Sequence, residues 1–190
     1  MRRDAADNRA RMISAAEAVF AERGPSATLD DVAKAAGVGP ATLYRRFANK
    51  DALVHEVLSG FFGRLVDVAT TAASGPPETG LETFLRTVGV ELAQKSGLSA
   101  PVWGELAPKP IVEDLRRLST ELLVGAQRAG AVRADVTPDD VAAAVWALRG
   151  VIHSERNDPA HHGAELWRRH LETILRGFGD GSHGASPPAV

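Results

Sequence analysis

The sequence predicts an all-α protein in which a small N-terminal helical domain precedes a larger helical one. Two observations support this fold class. Apolar residues recur at spacings of three and four along most of the 190 residues, and no segment sustains the alternation of a half-buried strand. In addition, Thr-Leu-Asp-Asp at 28–31 and Thr-Pro-Asp-Asp at 137–140 are typical helix starts, with a threonine cap and acidic residues in the first turn.

The composition excludes several classes of protein. With 44% hydrophobic residues, the chain can bury one or two cores. It contains no cysteine, which excludes a disulfide framework and a thiolate metal site. No run of eighteen apolar residues predicts a membrane span, and polar residues, not a hydrophobic leader, follow Arg2 and Arg3. We therefore expect a cytoplasmic protein that has no membrane partner.

The first predicted helix covers 8–23, and a glycine and a proline end it. Its apolar seam of Ile13, Ala16 and Phe20 is expected to complete a three-helix core with the two short helices that follow.

Those two short helices are joined by a tight turn. Thr28 begins the first of them, and Asp31 stands where it completes a capping box. Gly37 suits the left-handed residue that ends a helix, while Gly39 and Pro40 suit the N-cap and first position of the next. The pattern predicts a helix-turn-helix.

The outer face of the second short helix is basic. Leu43 and Phe47 lie four residues apart and are expected to face the core. The stretch 40–50 contains three cations and no anion, although the whole chain has a net charge of −2. Such a helix fits the major groove of DNA, and the alternative is an ordinary helical hairpin with solvated arginines. The residues expected at DNA are Thr28, Pro40, Ala41, Thr42, Tyr44, Arg45, Arg46 and Lys50.

Four arginines lie before or early in the first helix: Arg2, Arg3, Arg9 and Arg11. This arm is expected either to contact phosphates or the minor groove, or to remain a solvated terminus without structure.

Further helices are predicted after the helix-turn-helix in the sequence. A long one begins after Asn49, its cap, and its apolar stripe lasts until the Ser-Gly-Pro-Pro at 74–77. The others are expected at 79–95, 110–128, 138–156 and 163–178. We accordingly divide the chain into a DNA-binding domain at 1–48, a helical domain at 49–178, and a disordered Gly/Ser/Pro/Ala tail at 179–190.

A specific motif runs through the first of these domains. Its residues are Thr28, Ala36-Gly37-Val38, Thr42-Leu43-Tyr44, Phe47 and Asn49-Lys50-Asp51-Ala52-Leu53. It resembles the N-terminal domain of the TetR (tetracycline-repressor) family of bacterial transcriptional regulators, over roughly residues 8–60. Gly39 and Ala41 depart from the family pattern, which often has Ser or Thr at the first position and Gly at the second.

The resemblance implies how the surface meets DNA. Thr28, Thr42, Tyr44 and Lys50 match positions that contact phosphates in the family. Arg45 is the best candidate for reading a base, most simply guanine, and Arg46 is an alternative phosphate contact.

The resemblance also implies a homodimer, because the last two long helices of the family pair with their copies in a four-helix bundle. The alternative is that these faces close the core of one chain. The residues expected at the dimer interface are Val141, Val145, Leu148, Trp167, Leu171, Ile174 and Phe178.

A third implication is a pocket for a small-molecule effector of unknown identity, enclosed by helices between about 79 and 152. Drug-sized pockets have roughly 300–1,000 Å³. The segment 96–110, rich in Gly and Pro, is expected to act as a gate. The candidate wall residues are Phe62, Phe84, Val88, Leu92, Trp103, Leu122, Trp146 and Arg149.

An enzyme is the remaining alternative. His153, Glu155, Asp158, His161 and His162 lie close together in sequence, yet they lack the i, i+4 histidine pair that one helix face presents to zinc. No cofactor is expected. The predicted function is a homodimeric repressor that a small molecule releases from a palindromic operator. The alternatives are a DNA-binding regulator without such control, or a metal-dependent enzyme that uses the His153–His162 cluster.

Overall fold

The computed structural model of the protein describes residues 2–95, 106–158 and 165–179, with side chains from Asp7 onward. Within these residues every regular element is helical, so the prediction of an all-α fold is confirmed. The elements are α1 (Arg2–Arg23), a 3-10 turn (Gly24–Ser26), α2 (Leu29–Ala36), α3 (Pro40–Arg46), α4 (Lys50–Ala73), α5 (Pro77–Gln94), α6 (Lys109–Arg128), α7 (Pro138–Asn157) and α8 (Leu166–Phe178).

The chain forms two compact units. The first contains Met1–Arg64 and Leu92–Val112, and the second contains Leu65–Glu91 and Glu113–Val190. The first unit thus holds the helix-turn-helix, the first half of α4 and the end of α5. In the part of the chain that the structure describes, no helix is both long and apolar enough to cross a membrane.

The core of the first unit is built by α1, α2 and α3. Phe20, Val32 and Leu43 are fully buried there. Truncating a buried phenylalanine to alanine costs about 3–5 kcal/mol, so this cluster is a main source of stability. Met12 is buried in place of the predicted Ile13, which is half-buried.

The beginning of α1 differs from the sequence prediction. The helix starts at Arg2 and continues without a break through Asn8. The residues ahead of Asn8 therefore extend α1 and do not form an unstructured arm.

The capping residues predicted at the starts of α2, α4 and α7, and the glycine predicted to end α2, are confirmed. Thr28 and Asp31 form a complete capping box at α2, and Thr137 and Asp140 form a second one at α7. Gly37 is left-handed, with a φ of 65°, and ends α2. Asn49 accepts a hydrogen bond on Oδ1 from the amide of Ala52 at 2.8 Å, which caps α4.

The second unit packs α5 closely against α8. The indole of Trp167 lies on the backbone of α5, and a Cβ added at Gly89 would be 2.5 Å from its Cζ3 atom. Arg86 of α5 binds both Glu82 and Glu172, and the guanidinium lowers the pKa of Glu172. The packing therefore combines a large aromatic surface with an ion pair at its edge.

Some sequence expectations lie outside the described residues. They are Trp103 and most of the predicted gate, the pair His161 and His162, and the tail from residue 180 onward.

Candidate nucleic-acid interface

The structure turns the basic face of α3 to solvent. Leu43 and Phe47 are buried and hold the helix on the core, as their spacing predicts. Tyr44 is 50% exposed. Arg45 and Arg46 in the last turn are exposed as well. Pro40 and Ala41 are exposed at the start of the helix, and Thr42 is half-buried.

The start of α1 borders this face, which the sequence did not predict. Asn8 and Met12 of α1 line a cleft of about 270 Å³ together with Thr42, Arg45 and Arg46 of α3. Asn8 Oδ1 accepts a hydrogen bond from Arg11 Nη2 at 2.8 Å. Asn8 and Met12 lie four residues apart within the helix predicted at 8–23 and were therefore expected on one face, but their spacing does not indicate that this face borders α3.

Thr28 and Lys50 are both engaged within the protein. The Thr28 hydroxyl accepts from the Asp31 amide at 3.1 Å and donates to Asp31 Oδ2 at 2.7 Å. Hydrogen bonds from Thr28 are the main reason that the pKa of Asp31 is lowered, and Arg23 adds to the effect. Lys50 Nζ donates to the carbonyl of Pro25 at 2.5 Å.

Several acidic side chains of the first unit are paired with cations that do not belong to α3. Glu56 binds Arg9, and Asp31 binds Arg23 at 2.5 Å. Glu17 binds Arg64. Because these carboxylates are compensated locally, they weaken the field of the α3 arginines less than free carboxylates would.

The predicted dimer residues occupy two kinds of position. Val145, Ile174 and Phe178 are half-buried. The other four, Val141, Leu148, Trp167 and Leu171, are already buried within one chain. Their side chains pack within the protomer, because helical periodicity identifies an apolar face without specifying what covers it.

The open face of α7 lies elsewhere on the helix. Trp146 is 60% exposed, and Ala143, Gly150 and His153 are exposed on the same stripe at spacings of three and four. An open cleft of about 750 Å³ lies next to α8 and is lined by Val151, Leu166, Arg169, His170, Glu172, Thr173 and Arg176.

The candidate pocket residues are mostly part of the core. Phe84, Val88, Leu92 and Leu122 are buried. Phe62 is half-buried and meets Phe61 edge to face at 5.5 Å between ring centroids. Arg149 lies 5.1 Å from the ring centroid of Trp146, and burial lowers its pKa.

The acidic and histidine residues at the end of α7 make structural contacts. Asn157 Nδ2 donates to the carbonyl of His153 at 2.8 Å. Glu155 accepts a hydrogen bond from the amide of Leu166, which begins α8. Among the described residues, no three His, Cys, Asp or Glu side chains are arranged to hold a metal ion.

A helix-turn-helix unit joined to a helical body defines a class of bacterial regulatory protein, and comparison with known families agrees. The model for bacterial regulatory proteins of the tetR family matches residues 12–57. The C-terminal domain described as transcriptional regulator SbtR-like matches residues 76–179, more than half of the chain. The protein belongs to the TetR family.

Individual relatives show how far the similarity extends. The HTH-type transcriptional repressor KstR2 of Mycobacterium tuberculosis is 39% identical over 71 residues, 35% of this chain and 36% of that protein. The match to KstR2 thus spans about a third of its length. The transcriptional regulator AcuR of Cereibacter sphaeroides is 29% identical over 176 residues, 80% of each chain.

Among solved structures, a TetR transcription regulatory protein from Mycobacterium vanbaalenii has 33% identity and a TM-score of 0.61. That similarity covers 94% of this chain and 99% of the other.

Proposed function

We propose that this protein is a homodimeric, sequence-specific DNA-binding transcriptional regulator, and that it is a repressor released from a palindromic operator by a small molecule. The observation that carries the proposal is the exposed face of α3, where Tyr44, Arg45 and Arg46 stand without an acidic neighbour on that helix. KstR2, which is similar to about a third of this chain, is described as a repressor.

In this proposal α3 enters the major groove. Arg45 reads a guanine through a bidentate contact worth about 1–3 kcal/mol of discrimination. Thr42, Tyr44 and Lys50 bind phosphates, while Thr28 supports them through its capping box. The exposed Pro40 and Ala41 carry little bulk at the start of α3, which permits close approach to the backbone of DNA.

A second copy of the chain supplies the α3 helix that binds the other half-site of the operator. We assign its contact to the open face of α7 around Trp146, together with the adjoining cleft at α8. Exposed tryptophan is typical of the few residues that dominate binding energy at interfaces. A two-fold dimer places its recognition helices about 34–36 Å apart, one turn of DNA, or a multiple of that distance.

The effector is proposed to bind the helical domain at 49–178, which follows the DNA-binding domain at 1–48 in the sequence. A groove of about 430 Å³ runs between α4 and α5 and includes Val68, Ala72 and Thr83 in its lining. That volume lies within the roughly 300–1,000 Å³ of drug-sized sites. To release DNA, the effector must favour the non-operator conformation by a few kcal/mol.

The test is a binding selection on random duplex DNA at two salt concentrations, with Arg45→Ala as the matched variant. We expect an inverted repeat for the wild-type protein and a degenerate motif for the variant. Salt-sensitive binding without any motif would contradict sequence-specific recognition. The selected operator then serves as probe in a metabolite screen. If no metabolite releases it, a regulator without small-molecule control becomes the better description.

A further inference from the structure

Two ion pairs of opposite polarity join α1 to α4. Arg9 of α1 binds Glu56 of α4, and Glu17 of α1 binds Arg64 of α4 through Oε1 and Nη2 at 3.2 Å. The two pairs are eight residues apart on both helices, about 12 Å of helix rise. The helices therefore run in the same direction here. Reversing either helix would bring like charges together, so the charge order defines a single alignment.

Glu17 also reaches a third helix. Its second carboxylate oxygen, Oε2, accepts from Nζ of Lys95, the residue directly after α5. The Glu17 side chain is only 17% exposed. One half-buried carboxylate thus joins α1, α4 and the end of α5, and such networks contribute more than isolated surface pairs.

The position of α1 matters for DNA because α1 borders the recognition helix. Asn8 and Met12 line the same cleft as Thr42 and Arg45 of α3. A change in the alignment of α1 along α4 therefore changes where α3 lies relative to α4.

We infer that Glu17 is a positioning residue for operator binding, which fixes α1, and with it α3, against α4 and the end of α5. The inference rests on the proposed function and specifies how it is controlled. The groove proposed for the effector includes Thr83 of α5, and Lys95 directly follows that helix, so a displacement of α5 reaches α1 through Lys95 and Glu17. If this ion-pair network opens, a smaller fraction of the dimers holds both DNA-binding domains in the orientation that binds the operator. The apparent Kd for the operator then rises in proportion.

The experiment measures the Kd of the selected operator and of a random duplex for Glu17→Gln and Lys95→Met. We expect operator affinity to fall about tenfold in each, while the random-duplex Kd and its salt slope stay within about twofold. Lys95→Arg keeps the charge and should restore wild-type affinity. The double variant should be no weaker than Glu17→Gln alone, because both substitutions open one network. Glu22→Gln, at an exposed position of the same helix, is the control.

Unchanged operator affinity in both variants, with a wild-type protein that binds, would overturn the inference. An equal loss of affinity for the operator and for the random duplex would also overturn it, because that result indicates general damage to the DNA-binding domain. Hydrogen exchange of the DNA-free protein provides a readout that does not depend on operator binding. The amides of α1 should exchange faster in Lys95→Met than in Lys95→Arg, and equal rates would overturn the inference even if the proposed function failed.

Discussion

Individual side chains at the candidate DNA surface differ in whether they already make a contact within the protein. Lys50 illustrates this, because its ammonium already donates to the Pro25 carbonyl at 2.5 Å in the DNA-free protein. Arg45 and Arg46 are instead exposed at the end of α3. The two kinds of cation should consequently respond differently to substitution.

Arg45→Ala should lower discrimination at one base step of each half-site by about 1–3 kcal/mol. Lys50→Ala should weaken all sequences alike and flatten the salt dependence by about one unit of slope, because it removes a phosphate contact. Competition binding with single-base operator variants at several salt concentrations measures both effects. Arg128→Ala, at the end of α6, is the control for general loss of charge. Identical behaviour of the first two variants on operator and random DNA would contradict the assignment of a base reader.

A second prediction at this scale concerns pH. Hydrogen bonds from Thr137 lower the pKa of Asp140 below its usual 3.8. A lowered folded-state pKa means that the ionised form stabilises the fold. This contribution is present above pH 3.8 and is lost as the pH falls through the lower folded value.

Asp140→Asn should therefore lower Tm at pH 7, and its difference from the wild-type protein should shrink in acid below that value. Thermal unfolding between about pH 7 and about pH 2 measures this, and the loss is expected only below pH 3.8. Asp139→Asn, in the same helical turn but outside the capping box, is the matched control. An equal pH dependence for both variants would rule out the capping box as its cause.

At the scale of elements, the contact of α5 with α8 depends on the absence of a side chain. Trp167 fills the space that a Cβ at Gly89 would need. Gly63 of α4 has no neighbouring atom within 4 Å of the corresponding position. Alanine substitutions at these two glycines therefore distinguish the effect of a steric clash from the effect of helix propensity.

Gly89→Ala should destabilise the protein by about 1–3 kcal/mol, because a well-packed indole cannot move aside without strain. Gly63→Ala should stabilise it by about 0.5–1 kcal/mol through helix propensity alone. Urea unfolding of both variants measures the two free energies. Stabilisation by Gly89→Ala would mean that Trp167 does not occupy this position.

The sequence predicted local features well and tertiary ones poorly, for a physical reason. The capping boxes, the turn at Gly37 and the start of α3 at Pro40 depend on neighbouring residues, and all were predicted correctly. Val141 and Trp146 illustrate the limit. Both lie on α7, but one is buried in the protomer and the other is exposed, and only the packing of other helices decides which.

At the scale of the whole molecule, the described part of the chain has two exposed large hydrophobic residues, and each lies on the surface proposed for a different function. Tyr44 lies on the recognition helix, and Trp146 lies on the open face of α7. The first is proposed to meet DNA and the second to meet another protomer.

Trp146→Ala should weaken the dimer by about 2 kcal/mol or more, roughly thirtyfold in dissociation constant, because a central aromatic anchor is removed. Tyr44→Ala is the matched control, since it truncates an exposed aromatic residue far from the proposed interface in sequence. Sedimentation velocity over a range of concentrations measures both. An unchanged dimer in Trp146→Ala would place the interface elsewhere.

Because Trp146 and Trp167 lie in contrasting environments, the intrinsic tryptophan fluorescence of the protein can report association of protomers. Trp167 is 5% exposed, whereas Trp146 is 60% exposed. In a Trp103→Phe background, iodide should quench the emission of the outer indole in the isolated protomer and leave that of the inner one almost unchanged. Association through α7 would shield the outer indole, so its accessibility to the quencher would report protomer pairing at concentrations too low for a sedimentation measurement.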